Sequence, residues 1–161
     1  MKYIRALGYV IAAEILSLFI GLTLAMYSSF AIRCISAVCT IGILICLVAN
    51  FAINTASDNL KNERISGKKA SHIQPLMLGI TVSLPALASW ILLYISHLTA
   101  AFDFYKWHKL LNAYFLQIYN FINSDASSTA LTSGQIYIML IFVFIPFLTF
   151  ISTYYLKKHC N

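Results

Sequence analysis

Glu14 is an acid set inside a long apolar run, residues 6–26, about eight residues from where that run begins. At 1.5 Å per residue the carboxyl falls ~12 Å along a helix. A charged carboxylate near a bilayer centre costs ~2.5–3.5 kcal/mol on insertion scales. Three kinds of chemistry fit such a residue: a neutral carboxyl hydrogen-bonded inside a helical bundle, a contact to a partner protein, or a proton or cation site. The first is the leading expectation. Polar side chains expected at similar depth are Thr81, Ser83 and Thr149, with Asn50 nearer one end of its helix. Glu14, Asn50, Ser83 and Thr149 are therefore the intramembrane polar candidates.

Other combinations point to less. Asn50 and Asn54 lie one helical turn apart, and their amides read as interface hydration or a helix–helix hydrogen bond. His97, Asp103 and His108 are metal-ligand types, but spacings of six and five residues match no helical ligand pair. Interfacial polar residues are the expected reading for them. His72 and His159 complete no ligand set. Cys34, Cys39, Cys46 and Cys160 contain no C-x-x-C pair, which disfavours thiol–disulfide exchange, and the penultimate Cys160 is not a prenylation box. H-E-x-x-H and G-x-S-x-G are absent, and Gly67 is not part of a phosphate-binding loop. No catalytic residue, cofactor or metal is assigned.

The elements that would carry these residues are four apolar stretches at about 6–26, 34–53, 76–96 and 136–155. Each can cross a ~30 Å hydrocarbon core as a helix. Hydrophobic residues make up 60% of the chain and charged ones 10%, against ~25% charge in a soluble domain; the mean hydropathy is +0.80. The net charge of +6 sits at the ends of the apolar stretches, so nucleic acid is not an expected partner; the lipid bilayer is. The first stretch imitates a signal peptide but is long, holds Glu14 and lacks a cleavage motif, so it reads as a retained helix. Lys2, Arg5, Lys61, Arg64, Lys68, Lys69, Lys157 and Lys158 fall on one side, and Arg33, Lys106 and Lys109 on the other. That imbalance predicts both termini and the loop at residues 54–74 in the cytoplasm of a multi-pass cell-membrane protein.

The short connection at residues 27–33 predicts a tight hairpin of the first two helices. Pro75 suits a first helical turn, whereas Pro85 and Pro146 are expected to kink the third and fourth helices. Between those two helices, Trp107, Leu110, Leu111, Tyr114, Phe115, Ile118, Phe121 and Ile122 recur at three- and four-residue spacing. Lys106, Lys109, Asn112, Gln117, Asn120 and Asn123 fall on the other face. An amphipathic helix over residues 104–122 at the lipid interface is predicted. Residues 124–129 read as an exposed polar linker.

Over residues 62–158 the chain resembles small four-span membrane proteins of clostridia and related Gram-positive bacteria. The likeness rests on Asn62-Glu63-Arg64-Ile65, Lys68-Lys69, Pro75-Leu76-Met77-Leu78-Gly79-Ile80, Ser83-Leu84-Pro85, the run from Lys109 through Leu116, and Tyr154-Tyr155-Leu156-Lys157-Lys158. It implies an architecture and a Gram-positive source; it supplies no activity and no functional residue. The expected fold is all-α, one integral membrane four-helix bundle over residues 1–161 with an extracytoplasmic amphipathic helix between the third and fourth spans. The expected role is non-enzymatic, an accessory or interaction subunit of a membrane complex. The runner-up is a small self-associating transporter or channel with a membrane-buried acid, and an intramembrane enzyme ranks third.

Overall fold

The computed structural model describes residues 2–25, 29–67, 71–99 and 102–160. Met26, Tyr27, Lys68 and Lys69, which enter the span and charge assignments above, lie outside the described residues. Those described are helical, without a strand. Four helices are long and apolar enough to cross a membrane. They are α1 (Lys2–Ala25), α2 (Phe30–Ser66), α3 (Ile73–Thr99) and a pair that divides the last stretch. Two short helices, α4 (Tyr105–Leu110) and α5 (Leu116–Ile122), precede that pair, which is α6 (Ser133–Val143) and α7 (Ile145–His159).

The loop expected at residues 54–74 is helical as far as Ser66. Polar composition marks where a chain leaves an apolar environment, and it does not stop a helix. Residues 54–66 contain no Gly or Pro, and Ala56, Leu60, Lys61, Glu63 and Arg64 are good helix formers. The helix stops at Gly67, whose φ of 66° is left-handed and whose N–H donates to Glu63 O at 3.0 Å. Glycine takes that conformation without a Cβ penalty.

The prolines act differently. Pro146 ends α6 and starts α7 after a one-residue break at Phe144, because its ring removes the N–H that would have bonded one turn back. Pro85 lies inside α3, which runs unbroken from Ile73 to Thr99. Pro75 sits in the first turn of α3, as expected.

The core is formed where α1, α2, α3 and α7 meet: Ala6, Val10, Ala13, Leu44, Val48, Phe51, Leu78, Val82 and Phe150 are all buried. Gly79 lets α3 approach α7 closely; a Cβ there would lie 3.0 Å from Phe147 Cδ2. The end carrying the termini is tied by polar bonds. Lys2 Nζ donates to Asn59 Oδ1 at 2.7 Å, Asn59 Nδ2 to the Tyr154 hydroxyl at 2.9 Å, and Lys158 pairs with Glu63 at 2.9 Å. Outward-facing Ile4, Phe19, Leu22, Val38, Ile141 and Leu148 are largely exposed, which suits a lipid-facing surface.

The segment expected to lie as one amphipathic helix on the surface does not. It is a helical hairpin that enters the bundle from the end opposite the termini. α4 descends beside α3, residues 111–115 turn through a short 3-10 segment, and α5 returns. Its turn packs between α1 and α2. The faces also do not divide as expected, although Tyr114 and Phe115 of the apolar set are buried. Trp107 is 57% exposed and Leu111 52%, while His108 and Asn112 are 0% exposed. Lys109 and Gln117, assigned to the water face, are buried as well. The physical reason is local: the hairpin brings His108, Asn112 and backbone groups at its tip to polar partners on α1, α2 and α3, while Tyr114, Phe115 and Tyr119 join the apolar core. The following tract is anchored too, since Ser128 is buried, bonded to Ser96, and donates its N–H to Asp103 at 2.8 Å.

Candidate functional site

Counting along each helix, Glu14, Thr40 and Ser89 all lie roughly 15 Å from the end opposite the termini, at 1.5 Å per residue. These three residues, one each on α1, α2 and α3, receive the hairpin tip. The N–H of Ala113 donates to Glu14 Oε1 at 2.9 Å. This N–H lies where the backbone leaves α4 with non-helical dihedrals at Asn112 (φ −132°, ψ 50°), so it has no helical acceptor to serve. Thr40 Oγ1 sits 3.0 Å from Tyr114 O and 3.0 Å from Ser36 O on its own helix. A hydroxyl that would otherwise only back-bond thus also meets the hairpin.

The third contact is a pair capable of acid–base chemistry. Ser89 Oγ lies 2.8 Å from His108 Nδ1, and Asn112 Nδ2 donates to Ser89 Oγ at 3.1 Å. The same amide nitrogen donates to His108 O at 3.0 Å, which ties Ser89, His108 and Asn112 into one cluster. Burial pushes His108 down to about 4, a hydrogen bond to the Ser89 backbone opposing the shift, so the ring is neutral near pH 7. In the tautomer whose Nδ1 carries the lone pair, this is the polarity of a base-activated hydroxyl. Yet Ser89 and His108 are both sealed from solvent, so in this conformation the pair docks the hairpin on α3.

The His108 ring stacks on Tyr119 with centroids 5.0 Å apart. Tyr119 and Tyr114 are both held well above the usual phenol range, first by burial and then by neighbours that include the Glu14 carboxyl. Glu14 Oε2, Ser17 Oγ, His108 Nε2 and Tyr119 OH are buried and have no hydrogen-bond partner among the described residues. Each such atom costs about 1–3 kcal/mol of desolvation.

Near the mouth of the hairpin, Tyr105 OH donates to Tyr119 O at 3.2 Å and Asn123 O at 3.0 Å. Lys109 Nζ donates to Asn123 O at 2.9 Å and Asp125 O at 2.7 Å. Burial lowers Lys109 to about 8, against the opposing pull of Asp125.

No family model, curated protein or solved structure matches the chain. Its own residues therefore carry the functional reading.

Of the sequence candidates, Glu14 is at the site and the other three are not. Asn50 is exposed and accepts from Asn54 at 3.3 Å. Ser83 is buried without a partner and lines a cleft of about 170 Å³ with Ile80, Leu87, Val143, Phe144 and Phe147, beside the Phe144 break. Thr149 is half-buried on α7. Glu14 bonds to none of them. His97 and Asp103 converge on Ser128, away from His108; burial works against the Asp103 charge, but the N–H groups of Ser128 and Tyr105 hold its carboxyl below the usual range. Among the described residues no three His, Cys, Asp or Glu side chains gather as a metal site.

Sequence reasoning passed over Thr40, Ser89, Asn112 and Tyr119. A signal was present: apart from Lys106 and Lys109, the polar face of residues 104–122 is built from His, Asn and Gln. Uncharged hydrogen-bonding residues are what a buried polar face uses.

Proposed function

We propose that this chain is a four-span membrane protein that loads and releases a proton at Glu14, with the α4–α5 hairpin as the element that opens the site. The observation that carries the reading is the state of the Glu14 carboxyl. One oxygen is capped by Ala113, and the other is buried without a hydrogen-bond partner among the described residues. Most buried side-chain oxygens have a hydrogen-bond partner, so an orphaned carboxyl oxygen calls for an explanation. Short broken helices meeting a buried acid midway through a bundle are a recurring arrangement in transporters. Towards the termini the site is closed by Val10, Leu44, Val48 and Phe51, so passage needs a second conformation or a second copy.

The topology belongs to the same proposal. Both termini are cytoplasmic, the hairpin enters from the outer side, and the source is a Gram-positive cell membrane. The charge distribution and the sequence resemblance support this.

The test is proton flux in liposomes under an imposed gradient, read with an internal pH dye. The parent chain acidifies the lumen faster than empty liposomes do. Glu14→Gln, which keeps an acceptor for Ala113 but cannot ionise, abolishes the difference. Equal flux in parent and empty liposomes, or full flux in the variant, overturns the proposal.

The accessory-subunit reading loses its Glu14 motivation, because the carboxyl faces inward. It keeps one observation: α2 spans 37 residues, ~55 Å, which exceeds a ~30 Å hydrocarbon core. The excess forms a polar head with α7. A stoichiometric partner recovered from native membranes in mild detergent would establish that role.

A further inference from the structure

We infer that the cleft between α2 and α7 at the termini end binds the phosphate of an anionic phospholipid. Ser57, Leu60, Lys61, Arg64 and Lys157 line this cleft, which encloses about 180 Å³. Three cations line it and no carboxylate does. Glu63, on the same helix, pairs with Lys158 at 2.9 Å, and Asp58 lines a separate cleft with Lys2 and Arg5. That second cleft is mixed in charge and is the poorer anion site.

Level in the bilayer selects a lipid as the occupant. Measured along α2 from Phe30, Ser57 lies ~40 Å and Arg64 ~50 Å away. The hydrocarbon core with its headgroup layers is ~40–45 Å thick. With Phe30 at the outer limit of the opposite headgroup layer, the cleft floor, Ser57 and Leu60, falls in the inner headgroup layer, and the backbone of Lys61 and Arg64 lies at or just beyond its water edge. Their long stems can reach back along the apolar surface while the charges remain solvated. Leu60 suits the glycerol end of a lipid. The Arg64 guanidinium offers two parallel N–H donors to a phosphate, a geometry a lysine cannot supply. The inference rests on the membrane reading of the chain and not on proton chemistry at Glu14.

The experiment is native mass spectrometry of the full chain in detergent, titrated separately with phosphatidylglycerol and phosphatidylcholine. The parent retains one phosphatidylglycerol in preference to phosphatidylcholine. Lys61→Ala with Arg64→Ala weakens that binding roughly 25-fold, about five-fold per cation. Arg33→Ala with Lys106→Ala, at the opposite end, leaves it unchanged. Both side chains of the test variant are exposed, so the fold does not depend on them, and unchanged helical circular dichroism checks this. Equal retention of the two lipids overturns the inference, as does unaltered binding in the Lys61/Arg64 variant. Displacement of the lipid by millimolar inorganic phosphate also overturns it, because the site would then be one for free phosphate. Proton flux is not read, so failure here and failure at Glu14 are separate results.

Discussion

The backbone N–H of Ala113 and the Glu14 carboxyl meet at 2.9 Å across 99 residues of sequence, halfway along α1. This bond seats the hairpin tip, and it separates two substitutions that look alike in a hydropathy plot. Glu14→Gln retains an oxygen for Ala113. Glu14→Leu leaves that N–H buried with no acceptor, at a cost of about 1–3 kcal/mol. Denaturation of the purified chain in detergent should place the Leu variant below the Gln variant by that amount. Equal stability would mean that the hairpin is not held through Glu14.

The Ser89–His108 contact predicts a pH dependence with a definite sign. Burial holds the folded imidazole at about 4, below the ~6.5 of an unfolded histidine. Between these values the unfolded chain binds the proton that the folded chain refuses. The contribution is complete above ~6.5 and is lost as pH falls towards 4, to a total of roughly 3 kcal/mol. Between pH 7.5 and pH 5 the parent should lose melting temperature relative to His108→Gln, which cannot protonate but still offers Ser89 an acceptor; parallel pH profiles would show that His108 is not held neutral by the fold.

Much of this fold is legible in the sequence, and where legibility fails the reason is physical. Twenty-residue apolar runs announce α1, α2, α3 and the α6–α7 pair, because lipid-facing and core-facing positions both demand apolar side chains. The end of α2 is hidden, since Asp58, Lys61 and Arg64 continue a helix in water as well as they would form a loop. The hairpin is misread for a deeper reason. Periodicity shows that Trp107, Leu111 and Phe121 share a face, yet it does not say whether that face meets protein or lipid. Glu14 stands out as a lone acid. Its partner does not, because a backbone N–H carries no sequence signature.

Gly79 makes a further prediction. A Cβ at this position would lie 3.0 and 3.1 Å from Phe147 ring carbons and 3.3 Å from Ile151 Cδ1, tighter than ordinary contact. Gly79→Ala should push α3 from α7 and cost about 1–3 kcal/mol, as overpacking does. Phe147→Leu removes the ring and should restore much of that loss in the double variant. Simple additivity of the two changes would show that this contact does not limit the approach of the helices.

The native cysteines test insertion and orientation together. Cys39 and Cys46 are exposed on α2 at ~14 and ~24 Å from Phe30, which is hydrocarbon depth if α2 spans. Cys160 is exposed just past α7. A membrane-impermeant charged maleimide needs a hydrated thiolate, so in a Cys34→Ala background, which removes the thiol near the outer end of α2, it should label none of these on intact protoplasts and Cys160 alone once the membrane is permeabilised. In denaturant all should react, which shows that protection came from the lipid. Labelling of Cys160 on intact protoplasts would place the termini outside and invert the bundle. Labelling of Cys39 or Cys46 in the permeabilised but folded state would mean that α2 does not face hydrocarbon at those positions.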